Sequence, residues 1–131
     1  MSGKGSKRIL IAEDEKPLSN ALSLKLTNEG FTIDVAADGL IVKEFISKND
    51  YDLLLMDIMM PNLNGFSLLE DFKNEGIEIP VVVLSNLGQK SDKERVFELG
   101  AVEYFIKSEV KISEVVEFVN DRLKDKVKNW K

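Results

Sequence analysis

The sequence predicts an α/β fold, a parallel sheet of five strands with helices on both faces. Short aliphatic runs such as Ile9–Ala12, Leu53–Met56 and Val81–Leu84 are too brief for typical helices, and they lack the polar alternation of a half-exposed strand. Between them lie segments with apolar residues at helical spacing, several closed by a glycine such as Gly30, Gly76 or Gly100. The two kinds of segment alternate without a long structureless loop or a repeated block, as β-α units require. This pattern leaves the strand order open.

The first strand is Arg8–Ala12, and it runs into the acidic stretch Glu13-Asp14-Glu15. Lys16-Pro17 opens a helix in which Leu18, Ala21, Leu22 and Leu26 share one face, and Gly30 stops it. Phe31–Ala36 alternates enough to read as an edge strand; Asp38-Gly39 is a turn, and Ile41, Val42, Phe45 and Ile46 form the next helical stripe. The central strand Leu53–Met56 ends at Asp57 and is followed by the turn-rich Pro61-Asn62-Leu63-Asn64-Gly65. Phe66, Leu69 and Phe72 mark the third helix, which Gly76 ends. The fourth strand, Ile79–Leu84, tolerates Pro80 only near its start and finishes at Ser85. Ser91-Asp-Lys-Glu94 has the spacing of a capping box, which predicts a helix from there through Val96 and Leu99. Glu103–Ile106 is the fifth strand, ending at Lys107, and a last amphipathic helix starts near Ile112 with Val115, Val116, Phe118, Val119, Leu123 and Val127 on its apolar face.

A length of 131 residues fits one domain with a sizeable core. Residues 7–126 are expected to form it, with residues 1–6 a flexible leader and residues 127–131 a tail or the start of a linker. Acidic residues outnumber basic ones, 23 to 18, for a net charge of −5, which argues against a surface built for the nucleic-acid backbone. Cysteine and histidine are both absent, so disulfides, thiol chemistry, Cys/His zinc sites and a histidine general base are excluded. No apolar run approaches a membrane span and the N-terminus lacks the apolar core of a secretory signal, so a soluble, cytoplasmic chain is expected.

With all strands parallel, Glu13, Asp14, Asp57, Ser85 and Lys107 emerge at the carboxyl edge of the sheet, where open α/β folds bind ligands. Asp57 alone would read as a turn cap; its neighbours at the other strand ends give it a second reading. Clustered carboxylates repel one another, and hard oxygen donors select Mg²⁺ or Mn²⁺. Lys107 supplies a mobile cation and Ser85 a hydroxyl, both suited to a tetrahedral oxyanion. Without histidine, the nucleophile that fits this set is a carboxylate forming an acyl phosphate.

Glu13-Asp14 after the first strand, Asp57 after the third with Met60-Pro61 and Gly65 behind it, Ser85 after the fourth, Gly100-Ala101 before the fifth and Lys107 at its end closely resemble the receiver domain of two-component response regulators, of the single-domain chemotaxis-regulator kind. The resemblance spans Lys7 to about Lys126. It implies a flavodoxin-like fold, a doubly wound sheet of order 2-1-3-4-5. It implies a phosphorylation-controlled signalling switch in which Asp57 accepts a phosphoryl group from a sensor histidine kinase or a phosphotransfer protein. Asp14, Asp57 and the Met59 backbone carbonyl would bind Mg²⁺, with Glu13 acting through water and Mn²⁺ able to substitute. Lys107 would pair with Asp57 and then with the phosphoryl oxygens; Ser85 would turn its hydroxyl to that group, and Tyr104 would follow as the aromatic switch. The output is expected on the fourth helix, fifth strand and fifth helix, through a target protein, a C-terminal output domain or a homodimer, without direct nucleic-acid or membrane binding by this chain.

No enzymatic activity is expected beyond Mg²⁺-dependent self-phosphorylation and autodephosphorylation, because Met59 stands where a phosphohydrolase of similar fold places a second Asp. The sequence departs from the family pattern at Ser108, where Pro usually follows the Lys, and at Asn86, where Ala or Gly usually follows the Ser. Those two departures are the hints for an alternative, a receiver-like interaction module that no longer depends on phosphorylation.

Overall fold

In the computed structural model, residues 6–124 are described. The main sheet has five parallel strands: β1 (Arg8–Ala12), β2 (Thr32–Ala36), β3 (Leu53–Met56), β4 (Val81–Ser85) and β5 (Glu103–Ile106). Their order is β2-β1-β3-β4-β5, with β2 at one edge as its alternating pattern predicts. The helices are α1 (Lys16–Asn28), α2 (Gly39–Lys48), α3 (Gly65–Glu75), α4 (Lys90–Glu98) and α5 (Ile112–Leu123). The expected Val127 contact, the residues 1–5 of the leader and the tail lie outside the described residues.

Period-two geometry explains why β3 is apolar throughout. Leu53 and Leu55 point into a core with Ile9, Ile11, Val82 and Leu84, closed by Leu22 and Leu26 of α1 and Val115, Val116 and Val119 of α5. Leu54 and Met56 point the other way, into a core with Leu10, Val81 and Val83, closed by Val42 of α2, Phe66, Leu69 and Phe72 of α3 and Val96 of α4. Each face is covered by helices, so no strand position of β3 can be polar. Burial of the Leu or Val side chains in these layers contributes about 1.5–3 kcal/mol each relative to exposure, an upper figure for a compact unfolded chain.

Three local expectations change. Helix α4 begins at Lys90 with Gln89 as its N-cap and no side-chain cap, so the Ser91–Glu94 pair lies inside the first turn rather than around it. One half of that device occurs at α5 instead, where the Lys111 amide donates to Glu114 Oε1 at 2.8 Å. Ile41 is 39% exposed while Val42 carries the burial of α2, because the helix presents a narrower stripe than its sequence suggests. The segment after Asp57 is also more ordered than a plain turn: Met59–Met60 pairs antiparallel with Leu63–Asn64, and Asn62 at the tip has φ 59°.

Candidate functional site

The carboxyl edge of the sheet is built from short loops that cap themselves. Glu13 Oε2 accepts the Glu15 amide at 3.0 Å, Asp57 Oδ1 the Met59 amide at 3.2 Å, and Ser85 Oγ the Leu87 amide at 3.2 Å. Each is a side chain bonding the backbone two residues on, a turn device that Asp and Ser favour. Asp57 therefore caps its turn and also faces its neighbours; the structural and chemical readings of that residue coexist. Backbone bonds register these loops to the sheet, from Asp57 N to Ala12 O at 3.0 Å and from Lys107 N to Ser85 O at 3.0 Å.

The centre of the cluster is Lys107. Its Nζ lies 2.8 Å from Asp57 Oδ2, 3.0 Å from Glu13 Oε2 and 3.5 Å from Glu15 Oε2, with only 8% of its side chain exposed. Burial by itself would lower the Lys107 pKa, but the bonds to Asp57 and Glu13 outweigh it and raise it above the ordinary 10.5, so the ammonium is charged. Burial raises the Glu13 carboxyl, opposed by the Glu15 amide and by Lys107. Asp14 is exposed at the rim, and oxygens of Glu13, Asp14 and Asp57 all lie within 4.8 Å of one another. Lys107 pairs with three acids, Glu13, Glu15 and Asp57, and Asp14 stands beside two of them, so acidic groups outnumber the one lysine in this cluster of the described residues. Such a set of hard oxygen donors around a charge deficit fits a small divalent cation such as Mg²⁺.

Glu15 has no separate role in the sequence reading, although it belongs to the acidic run that ends β1. Only the position of Lys107, the residue that follows β5, makes it a partner. Ser85 is buried, and its hydroxyl serves the Leu87 amide rather than the acids. Tyr104 is 8% exposed, and its hydroxyl donates to the Leu87 carbonyl. Its pKa is raised by burial first and by the charge of Asp92, and the contact with Leu87 places its hydroxyl beside the loop that leaves β4. Lys107 and Ser108 are joined by a trans peptide, as are all described residues. Asn86 is exposed beside Ser85.

A family model described as the response regulator receiver domain matches residues 9–120. The chain belongs to that family. Among curated relatives, it is 38% identical over 100 residues to the transcriptional regulatory protein DltR of Streptococcus agalactiae, a match covering 76% of this chain and 45% of DltR. It is 35% identical over 100 residues to the transcriptional regulatory protein CusR of Escherichia coli, covering 76% of this chain and 44% of CusR. The chain thus spans about half the length of the curated relatives it matches. The receiver domain of the Francisella response regulator 1452 superposes with a TM-score of 0.83 at 32% identity, covering 88% of this chain and 95% of that one. As a receiver domain, the chain is a part of a two-component system, and the family's phosphorylation-controlled switch is the function its fold carries. Receiver domains bind Mg²⁺ at an acidic pocket, and Glu13, Asp14 and Asp57 form such a group here.

Proposed function

We propose that this chain is a switch whose phosphoryl acceptor is Asp57, loaded by a sensor histidine kinase or a phosphotransfer protein. The observation that supports it best is the Lys107 ammonium 2.8 Å from Asp57 Oδ2 at the convergence of three strand ends. In the transfer, an Asp57 oxygen attacks the phosphorus of a phosphohistidine. The O–P bond forms as the N–P bond breaks, the bonding pair stays on the imidazole nitrogen, and an acyl phosphate results. In the hydrolytic loss, water attacks phosphorus, its O–P bond forms as the Asp57 O–P bond breaks, a proton passes to solvent, and inorganic phosphate leaves with the carboxylate restored.

Within this reading, Asp14, Asp57 and the Met59 carbonyl hold the metal, Glu13 acts through water, and Mn²⁺ substitutes for Mg²⁺. When bound, the cation offsets charge on the transferring phosphoryl oxygens. Lys107 moves from carboxylate to phosphoryl oxygen without leaving its buried position. Ser85 gives up the Leu87 amide to reach the same group, and Tyr104, bonded to Leu87, follows that loop into α4. A phosphoryl group adds close to two negative charges at neutral pH, enough to bias two arrangements that differ by a few contacts. The output face is α4, β5 and α5, engaging a target protein, a C-terminal output domain or a second copy of the chain. Signalling is cytoplasmic, without catalysis beyond self-phosphorylation and autodephosphorylation, and the residues before Lys7 and after Lys126 serve as leader and tail or linker.

Intact mass measured after incubation with Mg²⁺ and acetyl phosphate tests the acceptor. One phosphoryl group should appear on the parent and none on Asp57→Asn. A parent that stays unmodified under all donors, or an Asp57→Asn protein labelled as well as the parent, overturns the assignment.

A further inference from the structure

The loop that carries Met59 is held at two points. At its base, the Gly65 amide donates to Ile58 O at 2.7 Å, and a Cβ on Gly65 would meet Ile58 Cα at 2.8 Å, so glycine lets the start of α3 lie against the loop. At its tip, the contact comes from a different element, the turn between β2 and α2. The Gly39 amide donates to Pro61 O at 2.9 Å. Asp38 uses one carboxylate oxygen to cap α2 by accepting the Leu40 amide at 2.7 Å, and the other to accept Asn62 Nδ2 at 2.7 Å. Asn62 is the described non-glycine residue with positive φ, 59°, a conformation that Asn tolerates better than most side chains. A Cβ on Gly39 would sit 2.2 Å from Asn62 O and 2.6 Å from Leu63 Cβ, so the backbone approach is closer than any other residue permits.

We infer that Asp38, Gly39 and Asn62 form a latch that positions the acceptor loop, so that the β2–α2 turn sets how well that loop presents its backbone groups at the metal site. The inference rests on the reading of the Met59 carbonyl as a metal ligand and deepens it. The chain of contacts is short. Met59 pairs with Asn64 across the tip that the latch holds, and the Met59 amide fixes Asp57 Oδ1. Freeing the tip loosens both ends of the Asp57–Met59 segment. The three latch residues touch neither the acids nor Lys107, so they are positioning residues acting through the loop. Partners that orient metal ligands in this way typically cost 10–100-fold in metal affinity when removed.

Calorimetric titration of the full chain with Mg²⁺, alongside amide exchange across residues 58–65, tests the latch. Asn62→Gly removes the side-chain bond while keeping the positive φ, and Gly39→Ala pushes the tip away. Both should weaken Mg²⁺ by about tenfold, the low end of that range for a site sharing its shell with water, and both should speed exchange at Met59 and Asn64. Labelling by acetyl phosphate should recover to the parent rate at saturating Mg²⁺, separating positioning from chemistry. Asp38→Asn can still cap Leu40 and pair with a flipped Asn62 amide, so it should bind Mg²⁺ like the parent, whereas Asp38→Ala should not. Asn62→Gly with parental Mg²⁺ affinity and exchange overturns the latch, as does equal weakening in Asp38→Asn and Asp38→Ala, which would make charge the cause. Asp14→Ala distinguishes the two levels: if it binds Mg²⁺ as the parent does, the metal-site reading itself fails. If it loses binding while Asn62→Gly keeps it, only the latch fails.

Discussion

The two edges of the sheet carry ionic clusters of opposite design. At the amino edge, Arg8 Nη2 pairs with Asp34 Oδ2 at 3.0 Å, Tyr51 donates its hydroxyl to the same oxygen at 2.7 Å, and the Arg8 guanidinium lies 5.1 Å from the Tyr51 ring centre. The Arg8 amide donates to Asp52 Oδ2 at 2.8 Å, joining the start of β1 to the approach to β3. The Arg8 and Asp34 side chains are 38% and 34% exposed, so water screens the pair. At the carboxyl edge, Lys107 is 8% exposed and faces carboxylates on three sides. One cluster is near charge balance and staples strands together; the other is short of positive charge and is held that way by burial. An excess of clustered carboxylates is costly for a fold unless a cation or a phosphoryl group completes it, which supports the reading of that edge as the site.

The largest test of this contrast is loss of each cation. Lys107→Met leaves buried acids without a partner and should cost about 3 kcal/mol, the low end for breaking a buried pair because the rim is open at Asp14. Arg8→Met should cost about 1 kcal/mol, as befits a screened pair with some lost packing on Tyr51. Urea unfolding at neutral pH measures both; equal costs would erase the distinction.

Mg²⁺ should act on one edge alone. At 100 times its Kd it should stabilise the parent by about 2.7 kcal/mol through mass action. Thermal unfolding should show this gain abolished in Asp14→Ala and unchanged in Asp52→Asn. A gain that survives in Asp14→Ala would place the ion elsewhere.

Removing a carboxylate charge should have opposite signs at the two edges. Without Mg²⁺, Asp57→Asn relieves repulsion in an over-charged cluster and should stabilise by up to about 1 kcal/mol, while Asp34→Asn weakens a balanced one and should destabilise by about 0.5 kcal/mol. If Asp57→Asn unfolds more easily than the parent, Asp57 is there for stability.

The smallest expected effect is alkaline. Burial and the hydrogen bond to Asp34 push the Tyr51 hydroxyl from 10.0 up to about 12. Its proton is held more tightly folded than unfolded, so its contribution is intact below pH 10.0 and is lost as pH rises towards about 12. Tyr51→Phe should flatten the stability profile in that window and leave it unchanged near neutrality apart from a constant offset. Loss of the slope in Lys107→Met but not in Tyr51→Phe would assign it to the carboxyl edge.

The sequence by itself determined the alternation of strands and helices, because burial on both faces demands unbroken aliphatic runs such as Leu53–Met56 and one-sided burial demands stripes such as Phe66, Leu69 and Phe72. It also determined which chemistry was available, since a chain without Cys or His is left with carboxylates, Lys and hydroxyls. The capping box at Ser91 misled because local spacing cannot tell a cap from a first turn, and the start of α4 depends on how the loop leaves β4. Only the tertiary structure decided that Lys107 meets Glu15 as well as Glu13 and Asp57, since strand order alone joins a lysine to acids 94 and 50 positions away in sequence at Glu13 and Asp57 and brings Glu15 in with them. The same holds for Gly39 beneath Asn62: its need for a missing Cβ comes from a loop two elements away. Periodicity records which side of an element is buried; it carries no trace of which distant backbone will lie against it.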